Sequence, residues 1–412
     1  MKDPLEQVDV PLMRPIVWGA LAAAVLVVYA IVFPQALTWV VAILALPVII
    51  FLHELAHYVT AKRTGMKVTE FFVGFGPRVW SVRRGETEYG VKAIPLGGYC
   101  RIVGMTNVED VPPADEPRAY RSKPYPAKVL VASAGSLMHF ALATVLMMTL
   151  LVLDGNWDEA YPTTTVDHVL AGSPAERAGL QEGDRIVSID GEPIDEWADV
   201  SRVVQPLAGE EVVFVVERGG RLVDLSVTPE TVEGVGRAGI SPAPHVPGVS
   251  LPEALVEGPR QVWGLGVASV QALGERFSPA GIAEYVDAVV GAGGEGDEGA
   301  GAGDDADRFL SPVGGVRLGV QAVQAGWENA VFLLVAINVF VGIFNLVPLL
   351  PFDGGHIAIA TYEAVASAIT RRRVRVDVTK LLPVTAAVVA VLGLIFLSSL
   401  FLDITDPIQN PY

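Results

Sequence analysis

Five stretches of the chain carry apolar residues almost without interruption. They are Pro15–Phe33, Ala36 to about Thr60, about Val129 to Leu153, about Asn329 to Val347, and Pro383–Leu402. As helices they measure about 27–37 Å, enough for a hydrocarbon core of ~30 Å, so each is expected to span a bilayer. Only Pro34-Gln35 separates the first two runs, which predicts a tight helical hairpin. Lys2 and Arg14 precede the first run as they would in a signal peptide, but the run is long and lacks a small-x-small cleavage site. The pattern changes between the runs. Residues 74–99 read as short alternating strands with Gly turns, 163–230 as a small β-rich domain, and Pro252–Val290 as amphipathic helix.

Composition agrees with a membrane protein. Of 412 residues, 51% are hydrophobic and 18% charged, where soluble domains carry roughly a quarter charged; mean hydropathy is +0.45. These values exclude a purely soluble enzyme and a disordered chain. The single cysteine, Cys100, excludes an intramolecular disulfide framework and a Cys-only zinc site. Charge is segregated: residues 154–310 hold 29 acids against 9 Arg and no Lys, and the remainder 17 acids against 20 bases. So acidic a block repels nucleic acid and is expected to form a separate domain in its own compartment. The loop 62–128 carries 12 Lys and Arg against 7 acids, and Arg371, Arg372, Arg373, Arg375 and Lys380 follow the fourth run. Both segments are therefore expected in the cytoplasm, with the N-terminus; the acidic block and the C-terminus fall outside.

Near the end of the second run stands His53-Glu54-Leu55-Ala56-His57. On a helix, positions i and i+4 share a face, so two imidazoles can converge on one ion with Glu54 beside them as a base. Burying such a cluster in apolar sequence is costly unless it has a function. Catalytic zinc takes three protein ligands and keeps one open position. The expected third is Asp353, in Asn345-Leu-Val-Pro348-Leu-Leu-Pro351-Phe-Asp353-Gly354-Gly355-His356. Counted inward along their spans, His53 and Val347 both lie about 26–27 Å from the outer edge, near the inner leaflet. The bland alternative makes Asp353 a helix cap after a Pro-rich turn. His356 is expected as a neighbour of the site or a cap rather than a fourth ligand.

With these two motifs the chain resembles the site-2 protease family of intramembrane zinc metalloproteases, in particular the bacterial group that carries a PDZ domain and performs regulated intramembrane proteolysis. The resemblance implies a zinc endopeptidase with His53, His57 and Asp353 as zinc ligands and Glu54 as general base and acid on the metal-activated water. It implies that Asn345 contacts substrate or the developing oxyanion. It implies single-span membrane protein substrates, such as anti-sigma factors or signal-peptide remnants, and an inner-membrane location. Gly74-Phe-Gly-Pro77 and the segment Glu86–Tyr99 are similar to the family's membrane-associated β-hairpin, which presents an edge strand to an extended substrate. Where family members often read Ala-Gly-Pro-x-x-Asn, this chain has Ala134-Gly-Ser136-Leu-Met-His139. Residues 163–230, with Ser173-Pro174 entering a short helix and Asp190-Gly191 as a turn, resemble a protease-associated PDZ domain.

The expected fold is thus an α-helical polytopic membrane protein of about five spans, with a cytoplasmic β-hairpin region and an inserted extracellular α+β PDZ domain. Its expected divisions are an extra N-terminal span (1–35), the zinc-motif span (36–62), the hairpin region (63–128) and a span (129–153). The PDZ domain (154–235) follows, then juxtamembrane helices with an acidic flexible loop (236–328), the Asp-Gly-Gly span and cytoplasmic segment (329–382), and a last span (383–412). A non-catalytic scaffold would have let the zinc set decay, yet every required side chain is present. A metal transporter would usually show internal repeats, and none is evident.

Overall fold

The structure, a computed structural model, describes residues 34–106, 109–291, 309 and 311–405. The chain divides into two compact units, one of Thr149–Leu255 and one of the flanking segments. Among the described residues four helices are long and apolar enough to cross a membrane: Ile43–Arg63, Tyr125–Asp154, Trp327–Phe344 and Val378–Thr405. They match the last four apolar runs; the first, Pro15–Phe33, lies outside the described residues, as does most of the acidic Gly-rich loop. Ile43, Val48, Val145, Leu153, Leu394 and Leu397 on these helices are all more than half exposed. Apolar surface at that density is stable only against lipid, so this is a multi-pass membrane protein.

The first described helix, α1 (Pro34–Arg63), takes in Pro34 and Gln35, the pair expected as a turn; the first helical turn tolerates proline because its N–H needs no partner. Strands β1 (Val68–Arg84) and β2 (Thr87–Ile102) follow. They are longer than the short strands expected, because the glycines bend them instead of ending them. Arg84–Thr87 to Arg78–Lys92 pair antiparallel, and so do Val73–Gly98 to Val68–Ile102. Glu70–Val73 also face Glu88–Val91 in step, so the ribbon doubles over into a four-segment sheet with residues 98–102 along one edge. Met66, Val68, Ile102 and Tyr120 bury this sheet's base against Ala61 of α1 and Val131. The turn residue Glu86 accepts from Lys62 at the end of α1 and from both terminal nitrogens of Arg118. Helix α2 (Tyr125–Asp154) follows.

The unit of Thr149–Leu255 is built on a sheet of β3 (Tyr161–Val169), β4 (Arg185–Ile189), β6 (Val212–Arg218), β7 (Arg221–Val227) and β10 (Ile240–His245) in the order β10-β3-β4-β6-β7. The short β5 (Glu192–Pro193) pairs with β4, and β8 (Glu230–Val232) with β9 (Val235–Arg237). Helices α3 (Pro174–Ala178) and α4 (Trp197–Val204) complete it. Ser173 caps α3 by accepting from the Glu176 N–H. Asp190-Gly191 makes the two-residue turn from β4 to β5, both with positive φ (50° and 77°), as a type I′ turn requires. Val166, Ile186, Ile189, Phe214, Val216 and Val227 form the core. The buried Asp184 carboxylate accepts from Arg218 Nε at 2.7 Å and Nη2 at 2.6 Å and from the Gln181 N–H. Burial pushes its pKa up, but these donors outweigh it and hold the carboxyl below its ordinary value. Because β10 pairs with β3 through Tyr161–His245, this sheet extends past residue 235 to residue 245.

Beyond it lie α5 (Leu251–Arg276) and α6 (Pro279–Gly291), which divide the expected amphipathic stretch. Helix α7 (Pro312–Ala325) packs on α1 and is capped by Ser311, whose N–H donates to Asp403. The last three helices are α8 (Trp327–Phe344), α9 (Asp353–Thr370) and α10 (Leu382–Thr405). Helix α8 ends three residues before the expected Val347, since Pro348 disfavours helix in the residue before it. A buried pair, Lys128 Nζ to Glu363 Oε2 at 3.0 Å, ties the start of α2 to α9.

Candidate active site

His53 and His57 stand one turn apart on α1, where α2 lies close enough to hold both rings. His57 Nδ1–H donates to the Val131 carbonyl at 2.8 Å, and His53 Nδ1 lies 3.0 Å from His139 Nε2. The approach depends on Gly135: a Cβ there would stand 2.1–2.5 Å from three atoms of the His53 ring.

Asp353 arrives from the other half of the chain. After α8 the backbone turns through 345–352, and the Gly354 N–H donates to the Asn345 carbonyl at 2.7 Å. Gly354 is required here because a Cβ would overlap the Leu346 and Val347 carbonyls. Phe344 and Phe352 pack edge to face, 4.7 Å between centroids, across the turn. Asp353 opens α9, but the residue at the cap position is Phe352 and makes no side-chain cap bond. The Asp353 carboxylate instead faces the imidazoles, with Oδ2 3.1 Å from His57 Nε2 and 3.4 Å from His53 Nε2; the two Nε2 atoms are 3.1 Å apart.

This donor set fits zinc. At bond lengths of about 2.0–2.1 Å, ligand atoms on a tetrahedron stand about 3.3 Å apart, which is the spacing found. His57 spends its ring proton on Val131, so its Nε2 turns a lone pair toward the carboxylate. Lone-pair atoms crowded at this distance repel unless a cation sits among them. Among the described residues this is the one group of three or more His, Cys, Asp or Glu whose ligand atoms converge so closely, all within 4.8 Å.

Glu54 is the next residue on α1. Gly98 of β2 lies beside its Cγ. The 98–102 edge of the sheet therefore rests on Glu54. Asn345 caps α8 at its C-terminal end and joins the turn through its backbone carbonyl. His356 packs its ring edge to face with Tyr120, 6.4 Å between centroids, and is not in the converging group. One residue not singled out in the sequence belongs to the site. Asn338 is wholly buried, two turns before Asn345 on α8; its Oδ1 is 2.9 Å from His139 Nδ1, and its amide donates to the Leu334 carbonyl at 2.7 Å. A lone amide in an apolar span was the signal that could have marked it.

Helices of membrane-spanning character around a His-His-Asp cluster with an adjacent glutamate define a membrane-embedded metallohydrolase. The family model Peptidase family M50 matches residues 41–392, and the chain belongs to this family, the site-2 proteases. It is 35% identical over 405 residues to zinc metalloprotease Rip1 of Mycolicibacterium smegmatis, covering 89% of this chain and 97% of that protein. Rip1 of Mycobacterium tuberculosis is 34% identical over 407 residues, with 89% and 96% covered. Metalloprotease MmpA of Caulobacter vibrioides is 32% identical over 352 residues, with 78% and 85% covered. The protein is an intramembrane zinc metalloprotease, and its cofactor is zinc.

Proposed function

We propose that His53, His57 and Asp353 hold the zinc, that Glu54 is the general base and acid, and that the substrates are single-span membrane proteins. The observation that carries this reading is the meeting of three ligand atoms, 3.1–3.4 Å apart, from segments 296 residues apart in sequence. Zinc, when bound, supplies a Lewis acid that polarises the scissile carbonyl and makes water acidic enough to attack near neutral pH. Glu54 takes a proton from the attacking water as its oxygen bonds to the carbonyl carbon. It returns that proton to the amide nitrogen as the C–N bond breaks. The 98–102 edge supports an extended substrate laid beside the base, since a helical one would keep its carbonyl hydrogen-bonded. Asn345 serves as the contact to substrate or oxyanion.

The further parts of this reading are five spans, a cytoplasmic N-terminus and sheet region, and a PDZ domain and C-terminus outside. The basic loops and the acidity of residues 154–310 support that orientation; the strand order, capped short helix and Asp-Gly turn of the 149–255 unit support the PDZ assignment. Full-length protein should contain one zinc per chain, with sharp loss in His57→Ala. Glu54→Gln should keep the zinc and lose cleavage by 10²–10⁴-fold, roughly the worth of a general base. Turnover within about tenfold of wild type in Glu54→Gln would reject its role. Cysteines placed at Ser226 and Ser81 in a Cys100→Ser background should label from outside and inside respectively; the reverse overturns the orientation.

A further inference from the structure

Behind His53 runs a chain of buried polar groups that the hydrolytic reaction does not use. His139 and Asn338 are 2% and 0% exposed, and they link α1 through α2 to α8. Its hydrogen-bond directions follow from its far end. The Leu334 carbonyl can only accept, so the Asn338 atom at 2.7 Å from it is the amide nitrogen, and Oδ1 faces His139. Oδ1 can only accept, so His139 Nδ1 carries the ring proton and His139 Nε2 a lone pair. At 3.0 Å from that lone pair, His53 Nδ1 must be the donor. His53 then presents a bare Nε2 toward His57 and Asp353, the form a metal ligand needs.

We propose that His139 and Asn338 are positioning residues that fix the tautomer and ring orientation of His53, and so set how tightly this chain binds zinc. The proposal rests on His53 being a ligand. It gives the departure at His139 a reason: a ring reaches from Asn338 to His53, a span that an asparagine at 139, one bond shorter, cannot bridge. His57 has a fixed backbone carbonyl as its partner; His53 has only this side-chain relay, so its orientation is the one a point substitution can release.

The test uses full-length protein in detergent, stripped of metal, with Zn2+ affinity measured by chelator competition and Co2+ binding by its visible spectrum. His139→Leu should bind zinc roughly 10–100-fold more weakly, the usual cost of losing a partner behind a metal-bound imidazole. His139→Gln should restore affinity and the wild-type cobalt spectrum, because Gln Oε1 falls near the place of the His Nε2 lone pair. His53→Ala is the control: if it keeps full zinc, the ligand reading fails rather than the relay. If His53→Ala loses zinc while folded His139→Leu matches wild type in affinity and spectrum, the relay is overturned. Equal loss in the Leu and Gln variants also overturns it, since packing and not the lone pair would then matter. Should His139→Leu fail to fold, Asn338→Asp, which keeps the acceptor, should bind zinc more tightly than Asn338→Leu; equal affinity rejects the proposal.

Discussion

At Gly135 a single hydrogen atom decides whether two helices can share a metal site. The glycine lets α2 come close enough for Val131 and His139 to reach the two imidazoles, and any Cβ would clash with the His53 ring. Gly135→Ala should therefore displace α2 or rotate His53, at a cost of about 1–3 kcal/mol for overpacking. The measurable outcome is loss of zinc together with a lower melting temperature. Ser136 is the contrasting neighbour, with a buried hydroxyl that makes no hydrogen bond among the described residues. Ser136→Ala removes an unsatisfied polar group and should keep its zinc and match or exceed wild-type stability. If both variants behaved alike, the close approach at Gly135 would not be what holds the site. The cost in each case is set by what lies within reach of one side chain, and not by the apolar character of the span around it.

Among the elements, the doubled ribbon of β1 and β2 is anchored at its turn by Glu86, whose pKa Arg118 and Lys62 together draw down to about 2 against the opposing effect of burial. A carboxyl held below its unfolded value adds stability that is complete above the unfolded pKa of about 4.3 and lost as pH falls through the folded value. Hydrogen exchange of residues 68–102, corrected for intrinsic rate, should show protection constant from neutral pH down to about 5 and declining below 4. Glu86→Gln should lower protection at pH 7 and flatten that dependence; an unchanged profile would remove the clamp. Much of the element pattern could be read in the sequence. Four apolar runs gave spans to within a few residues, and His53, Glu54, His57 and Asp353 stood in motifs whose chemistry constrains them. The ribbon was less legible, because glycines such as Gly74 and Gly97 look like strand ends when they are bends within strands. His139 stood out in the sequence and Asn338 could have, but their pairing with each other and with His53 could not be read there, because it depends on which helices meet and no local period encodes that.

In the whole molecule the acidic unit of Thr149–Leu255 is a separable insertion, since every residue of the candidate site lies in the other unit. Its sheet begins and ends at adjacent residues: Tyr161 on β3 pairs with His245 on β10. Paired residues stand about 5 Å apart, so a short Gly/Ser bridge can replace residues 161–245 without stretching the chain. A deletion confined to 163–230 would instead leave β10 without most of its partner β3, and would test misfolding more than function. The excised protein should keep one zinc per chain, which shows that the remaining unit is intact before any cleavage is compared. If the inserted unit excludes bulky substrates, the excised enzyme should cut single-span proteins with intact ectodomains that wild type leaves whole. Its rate on a pre-shortened substrate should then stay close to wild type. If the unit recruits substrate through a peptide groove, the pre-shortened rate should fall and the intact substrate should remain uncut. We favour exclusion by size, because the site contributes its own edge strand at residues 98–102 and needs no second peptide-binding element to align an extended chain. The rate on the pre-shortened substrate decides between them, and a large loss there, with zinc retained, rejects exclusion.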